Sequence, residues 1–166
     1  MNQLDRIKAI IAADPVRLHV LQLVRELRLP DCWVAAGFVR SAVWDHLHQR
    51  SSSPLPLDID VIWFDGECQT AQKDVDLEAV LQNIDASINW SVKNQARMHL
   101  RNGDHPYINA AQAMTCWPET ATAIGVRLDE SDLVEVAAPL GLDDLLNLVV
   151  RPTARFRSEK RHVYLE

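Results

Sequence analysis

Leu57-Asp58-Ile59-Asp60-Val61-Ile62-Trp63-Phe64-Asp65 places two carboxylates one residue apart at the start of an apolar run. Its length and β-branched content predict a strand over about 57–64. Strand side chains alternate between faces, so Asp58 and Asp60 share one face with α-carbons about 6.5–7 Å apart. The segment holds no basic residue to offset their repulsion. Oxygen-only donors of this kind suit a hard divalent cation, Mg²⁺ or Mn²⁺. Taken alone, an Asp-x-Asp triplet more often only marks the start of a strand after a loop. The segment about twenty residues upstream is what gives the pair its functional reading.

There, Cys32-Trp33-Val34-Ala35-Ala36 reads as a short strand, Gly37 as a turn, and Val39 to His48 as a helix. Glycine at a strand end lets backbone N–H groups approach a ligand. A helix N-terminus adds unsatisfied donors and a partial positive charge, a combination that holds phosphate. Were the aspartate strand to pair beside this one, Asp58 and Asp60 would lie next to that phosphate.

Further elements follow from periodicity and turn chemistry. Helices are expected at 2–13 and from Asp14-Pro15 to about Arg28, the latter opened by an N-cap and a proline. The stretch 49–56 reads as a polar loop. Helices are expected near 74–84, 94–101, 109–115 and 141–150, and strands at 88–92, 122–128 and 133–137. The incomplete alternation of helix and strand indicates an α+β domain with a mixed sheet and helices packed mainly on one side. With 166 residues, the chain suits one domain over 1–166, with N-terminal helices in 1–30 and a basic tail over 151–166. The tail reads as a solvated end in preference to an arm over an anion.

Totals narrow the function. A formal net charge of −6 disfavours a general nucleic-acid coat. No signal-peptide layout opens the chain, and no apolar run spans a bilayer, so no membrane partner and a cytoplasmic location are expected. Cys32, Cys68 and Cys116 fit neither a disulfide framework nor a zinc motif.

Ala36-Gly37-Phe38-Val39-Arg40 followed by Leu57-Asp58-Ile59-Asp60 resembles the Gly-Gly-x-Val-Arg … Asp-x-Asp pattern of the DNA polymerase β nucleotidyltransferase superfamily, with tRNA nucleotidyltransferases and poly(A) polymerases nearest in motif. A closer resemblance is to a bacterial nucleotidyltransferase family of that superfamily. It runs through Val43-Trp44-Asp45, Val92-Lys93-Asn94-Gln95-Ala96-Arg97-Met98-His99, Trp117-Pro118-Glu119-Thr120-Ala121-Thr122 and Gly141-Leu142-Asp143-Asp144-Leu145. The resemblance implies a polymerase-β-like fold and a Mg²⁺- (or Mn²⁺-) dependent transfer of a nucleotidyl group from a nucleoside triphosphate to an acceptor hydroxyl, with pyrophosphate release. It implies that Asp58 and Asp60 are the catalytic metal ligands, that Gly37 marks the phosphate turn, and that Arg40 reaches a triphosphate. Lys93 and Arg97, four apart on an expected helix face, join them as candidate phosphate grips. The acidic balance favours a small-molecule or protein acceptor over a long nucleic acid.

Departures from the pattern matter. Ala36 replaces the first glycine, and Ser41 stands where tRNA-type enzymes often have aspartate. The superfamily's third carboxylate is missing from 88–92, leaving Asn94 as a neutral oxygen donor or Glu135 as a substitute. A catalytically inactive nucleotide- or metal-binding module of the same fold is therefore the alternative, and a Mg²⁺-dependent phosphohydrolase a third reading. Trp117-Pro118 would serve as a base-stacking wall or, more plainly, as an apolar plug. Asp45 would face the site or cap a helix contact, and Asp143-Asp144 would form a helix's first turn.

Overall fold

The computed structural model describes residues 1–158 and 160–165. It contains helices α1 (Gln3–Ala12), α2 (Pro15–Arg25), α3 (Gly37–Leu47), α4 (Ala71–Ile84), α5 (Gln95–Asn102), α6 (Ala110–Met114), α7 (Asp143–Leu146), α8 (Ala154–Arg157) and α9 (Arg161–Leu165). The strands are β1 (Trp33–Ala35), β2 (Ile59–Trp63), β3 (Trp90–Asn94), β4 (Gly125–Leu128) and β5 (Val134–Ala137). A 3₁₀ turn spans Thr120–Thr122. The α+β architecture is the one the sequence indicates.

The sheet runs β3-β2-β1-β4-β5. Only β2 and β3 pair in parallel; the other neighbours are antiparallel. A parallel pair needs a crossover, and α4 supplies it. Because β1 and β2 run in opposite directions, the end of β1 meets the beginning of β2, with Ala35 opposite Asp60. That register sets the α3 N-terminus beside the aspartates.

One sheet face carries Val34, Ile59, Val61, Trp63, Val92 and Val126 and packs on α1 to α4, forming the main core. Ile7, Ile11, Val20 and Leu21 are the inward stripe of α1 and α2 and are almost wholly buried. The other face carries Trp33, Ala35 and Ile62, which pack on Ala110, Met114 and Ala123. This second cover stops short of the Asp58–Asp60 end. Gly125 fits its place because a β-carbon there would come within 2.9 Å of the Trp33 β-carbon.

Local signals explain most element ends. Asn2, Asp14 and Asn94 cap α1, α2 and α5 by accepting N–H bonds from Asp5, Arg17 and Ala96. Gly103 closes α5 at φ 68°. Three expectations need correction. The 141–150 helix shrinks to Asp143–Leu146, because Leu148 takes φ 59° and ends it. Lys93 belongs to β3 and Arg97 to α5, with Asn94 capping between them, so the two do not share a helix face. The C-terminal segment does not simply extend into solvent. Thr153 Oγ1 donates to the Trp117 carbonyl at 2.5 Å, Thr120 N–H to the Arg151 carbonyl at 2.9 Å, and Phe156 is buried. Glu159 and Glu166 lie outside the described residues.

Arg17, with no exposed surface, joins these parts. Its Nε donates to the Phe38 carbonyl at 2.9 Å. Nη1 donates to Asp14 at 2.6 Å and the Ser53 carbonyl at 2.8 Å. Nη2 donates to Ser41 Oγ at 2.8 Å and the Pro54 carbonyl at 3.4 Å. Arg17→Met is expected to cost about 3 kcal/mol or more, since Asp14 and four further acceptors lose their donor. Urea denaturation of the variant checks this; a loss below about 1 kcal/mol contradicts it.

Candidate active site

Asp58 lies just before β2 and is exposed; Asp60 is the second residue of the strand and is half-buried. Both border a cleft of about 560 Å³ on the incompletely covered sheet face. Ala36, Gly37 and Arg40 form one wall, Ser91, Lys93 and Gln95 another, and Trp117, Pro118 and Thr122 a third. Pro56 and Leu57 edge the mouth, where Leu57 is 92% exposed.

Burial, and secondarily the Asp58 charge, push the Asp60 carboxyl above the usual aspartate range, while Lys93 works against that rise. Asp58 accepts a hydrogen bond from Asn89 Nδ2. The neighbouring cations are already engaged. Lys93 Nζ pairs with Glu78 at 3.1 Å, and Arg40 pairs with Glu119 at 3.5 Å while lying over the Trp44 ring. Among the described residues, no three His, Cys, Asp or Glu side chains group to hold a metal. Asp58 and Asp60 remain a two-carboxylate donor set, which suits a Mg²⁺ ion completed by water and substrate phosphates.

The turn between β1 and α3 differs in one respect from expectation. Ala36, not Gly37, has the positive φ: 60°, with ψ −128°. Ala36 thus occupies, with a β-carbon, a conformation that favours glycine. Gly37 is the first residue of α3, and its missing β-carbon keeps open the space in front of Pro56, 3.7 Å away. Val39 and Arg40 N–H groups donate to the Ala36 carbonyl, and no side chain caps the helix. The Gly37 and Phe38 N–H groups find no acceptor among the described residues, and Gly37 borders the cleft, a geometry suited to an anion.

Of the residues singled out from sequence, Gly37, Arg40, Asp58, Asp60 and Lys93 border this cleft. Arg97 does not. It is held by the buried Asp74 carboxylate, with bonds of 3.0 and 2.6 Å, and Asp74 also accepts from Trp63 Nε1 and Asn94 N–H. The Asn94 side chain is fully buried, accepting from Asp65 and Ala96 N–H and donating to the carbonyls of Asp65 and Cys68. It offers nothing to the cleft. Glu135 lies three strands away, about 14 Å across the sheet by strand spacing. It pairs with Arg127 at 2.9 Å, beyond Trp33. The strand neighbour of Asp60 on β3 is Ser91. Asp45 binds Ser53 and Arg50, which hold its carboxyl below the usual range and fix the 49–56 loop. Asp144 accepts from Thr120 Oγ1.

Sequence reading missed Ser91, Gln95 and Thr122 as cleft residues. For Ser91 the signal was present: side-chain alternation puts it on the Lys93 face of β3.

With this geometry in view, comparison gives the family. Residues 22–166 match a family model described as nucleotidyltransferase. The chain belongs to this nucleotidyltransferase family. It is similar to a solved structure described as revealing a CCA-adding enzyme head domain, at 35% identity and TM-score 0.85, covering 97% of this chain and 85% of the other. A CCA-adding enzyme solved with CTP shares the fold at 14% identity and TM-score 0.59, covering 96% of this chain and 40% of the other. So does the Thermotoga maritima CCA-adding enzyme complexed with tRNA, at 16% identity and TM-score 0.57, with coverage of 96% and 38%. The chain thus spans about two-fifths of the CCA-adding enzymes' length. No curated protein matches it.

Two outcomes follow from the local physics. Replacing Ala36 by glycine relieves a strained backbone, less the added entropy of the unfolded chain, and is expected to stabilise by about 1 kcal/mol in thermal unfolding. For Asp60, the folded chain binds the carboxyl proton more tightly than the unfolded chain. Metal-free stability therefore falls as pH rises from the unfolded value, about 3.9, through the raised one. Asp60→Asn removes that dependence, so in chelator the melting temperature of the variant gains on that of the parent chain as pH rises across 3.5–7.

Proposed function

We propose that this nucleotidyltransferase-family chain transfers a nucleotidyl group from a nucleoside triphosphate to an acceptor hydroxyl with release of pyrophosphate. The observation that carries the proposal is the meeting of two carboxylates and an uncapped helix N-terminus across one cleft, through the pairing of Ala35 with Asp60. Asp58 and Asp60 hold Mg²⁺ or Mn²⁺. The bound ion supplies Lewis-acid stabilisation and a more acidic acceptor hydroxyl. Gly37 and Phe38 N–H groups receive the triphosphate, and Arg40 exchanges Glu119 for a phosphate oxygen. Lys93 remains near Asp60 and steadies its charged form. Trp117 and Pro118 close the wall on which a base stacks.

The similar CCA-adding enzymes include one solved with CTP and one with tRNA. The nucleotide half of that likeness fits the cleft. The net charge of −6 favours a small-molecule or protein acceptor over a long nucleic acid. No helix among the described residues is long and apolar enough to cross a membrane. A cytoplasmic setting, where nucleoside triphosphates are made, accords with this reading.

A second reading has one observation in its favour. Ser91, not a carboxylate, neighbours Asp60 on β3, and Glu135 and Asn94 are committed elsewhere. The fold would then bind nucleotide and metal without transfer. Purified protein incubated with each α-labelled triphosphate, Mg²⁺ or Mn²⁺ and a metabolite pool separates the two. The transferase releases pyrophosphate and labels an acceptor, and Asp58→Asn or Asp60→Asn lowers that release about 100-fold or more. Saturable nucleotide binding with no pyrophosphate favours the binder, and free phosphate in place of pyrophosphate indicates hydrolysis.

A further inference from the structure

A second groove, of about 590 Å³, adjoins the cleft; Gln95, Trp117 and Pro118 border both. Its walls are of two kinds. Met98, Cys116 and Phe156 are apolar, whereas Arg101, Lys160 and His162 are basic. No carboxylate lines it among the described residues. In a chain of net charge −6 that is an unusual concentration of one sign. Asp104 lies beneath the surface, its side chain 2% exposed, and holds Lys160 at 2.9 Å. Arg101 is exposed, sits in the last turn of α5 and forms no ion pair among the described residues. Its planar fork suits bidentate binding of an oxyanion.

We propose that this groove seats the acceptor: a small molecule whose apolar or aromatic body lies against Met98, Trp117 and Phe156 and whose phosphate or carboxylate is held by Arg101, with His162 and Lys160 beside it. The inference rests on the transferase reading and adds the chemistry of the second substrate to it. Three observations carry it. The groove shares Gln95, Trp117 and Pro118 with the cleft that Asp58 and Asp60 border, so an acceptor lying in it can extend a hydroxyl past Gln95 toward them. Arg101, at the end of α5, lines the groove and not the cleft bordered by the α3 N-terminus, so an acceptor anion held there would be kept apart from a triphosphate. The volume suits a small ligand and not a folded macromolecule. In the reaction, the acceptor oxygen forms a bond to the α-phosphorus as the bond to the pyrophosphate oxygen breaks, and the hydroxyl proton passes to solvent or a bound phosphate.

The probes are phenyl phosphate and benzoate, titrated into the full chain without nucleotide or metal and followed by amide and indole NMR shifts. Saturable binding that moves the Met98, Arg101 and Trp117 signals is expected. Arg101→Glu should weaken it tenfold or more and Arg101→Gln less so, while nucleotide affinity stays within twofold. Phenyl phosphate binding better than benzoate assigns a phosphorylated acceptor; the reverse order assigns a carboxylate. Adding Mn²⁺ should then broaden the bound probe's own signals, an effect lost in Asp60→Asn although the probe still binds. Absence of saturable binding, or binding unaltered by Arg101→Glu, overturns the proposal. Bound probe unaffected by Mn²⁺ that demonstrably occupies Asp58 and Asp60 overturns the acceptor role. A six-nucleotide RNA binding through Arg101 at least 100-fold more tightly than phenyl phosphate overturns the small-molecule assignment. Failure of Mn²⁺ to bind, with Arg101-dependent probe binding intact, counts against the transferase reading and leaves the oxyanion groove standing.

Discussion

A guanidinium buried between two helices and a loop sets the frame of this protein. Arg17 has five N–H donors and meets five acceptors from Asp14, Phe38, Ser41, Ser53 and Pro54. A buried cation is costly unless its partners are complete, so the three segments must hold one mutual arrangement. Two acceptors, the Phe38 carbonyl and Ser41 Oγ, are on the first turns of α3, the helix whose N-terminus faces the cleft. Two are carbonyls of the loop that leads into Pro56, Leu57 and Asp58. The aspartate that begins β2 and the helix end opposite it are therefore positioned by the same side chain, although Arg17 does not itself border the cleft.

The cleft's electrostatics follow from how nearby charges are committed. Glu78 takes Lys93 and Glu119 takes Arg40. Both cations are partly exposed, so these pairs are weak and exchangeable. Asp58 and Asp60, by contrast, form no ion pair among the described residues, and burial raises the Asp60 carboxyl although Lys93 works against that rise. An arrangement with weakly committed cations and repelling anions has more to gain from a metal–triphosphate complex than from its own contacts. The strained Ala36 backbone adds to this, since strain at a ligand-facing turn persists only where the surroundings hold it.

The ease of reading each residue from sequence depended on how local its placement is. Asp58 and Asp60 were legible because alternation along one strand puts them on one face. The nucleotidyltransferase pattern was legible because the turn and helix follow β1 immediately in the chain. Arg97 misled because helix spacing was extended across Asn94, where the strand ends and the cap begins. Glu135 misled because sheet order, which sets it three strands from Asp60, is not written in any one segment. Arg17 gave no signal at all: a lone arginine on an amphipathic helix reads as a solvated residue, and its five partners come from three separate segments.

By itself, then, the sequence determined the α+β character, the aspartate pair, the strand–turn–helix that precedes it and the family they indicate. Those depend on periodicity, capping and motif spacing, which act over a few residues. Only the tertiary structure decided which candidates meet. Lys93 enters the cleft through its place on β3, Arg97 is drawn off by Asp74, and Ser91 takes the place beside Asp60. The C-terminal segment lies against Trp117 and Thr120 because Thr153 and the Arg151 carbonyl find partners there. Such choices depend on pairing and burial between segments far apart in the chain, where the energy of a contact cannot be read until both sides are in place.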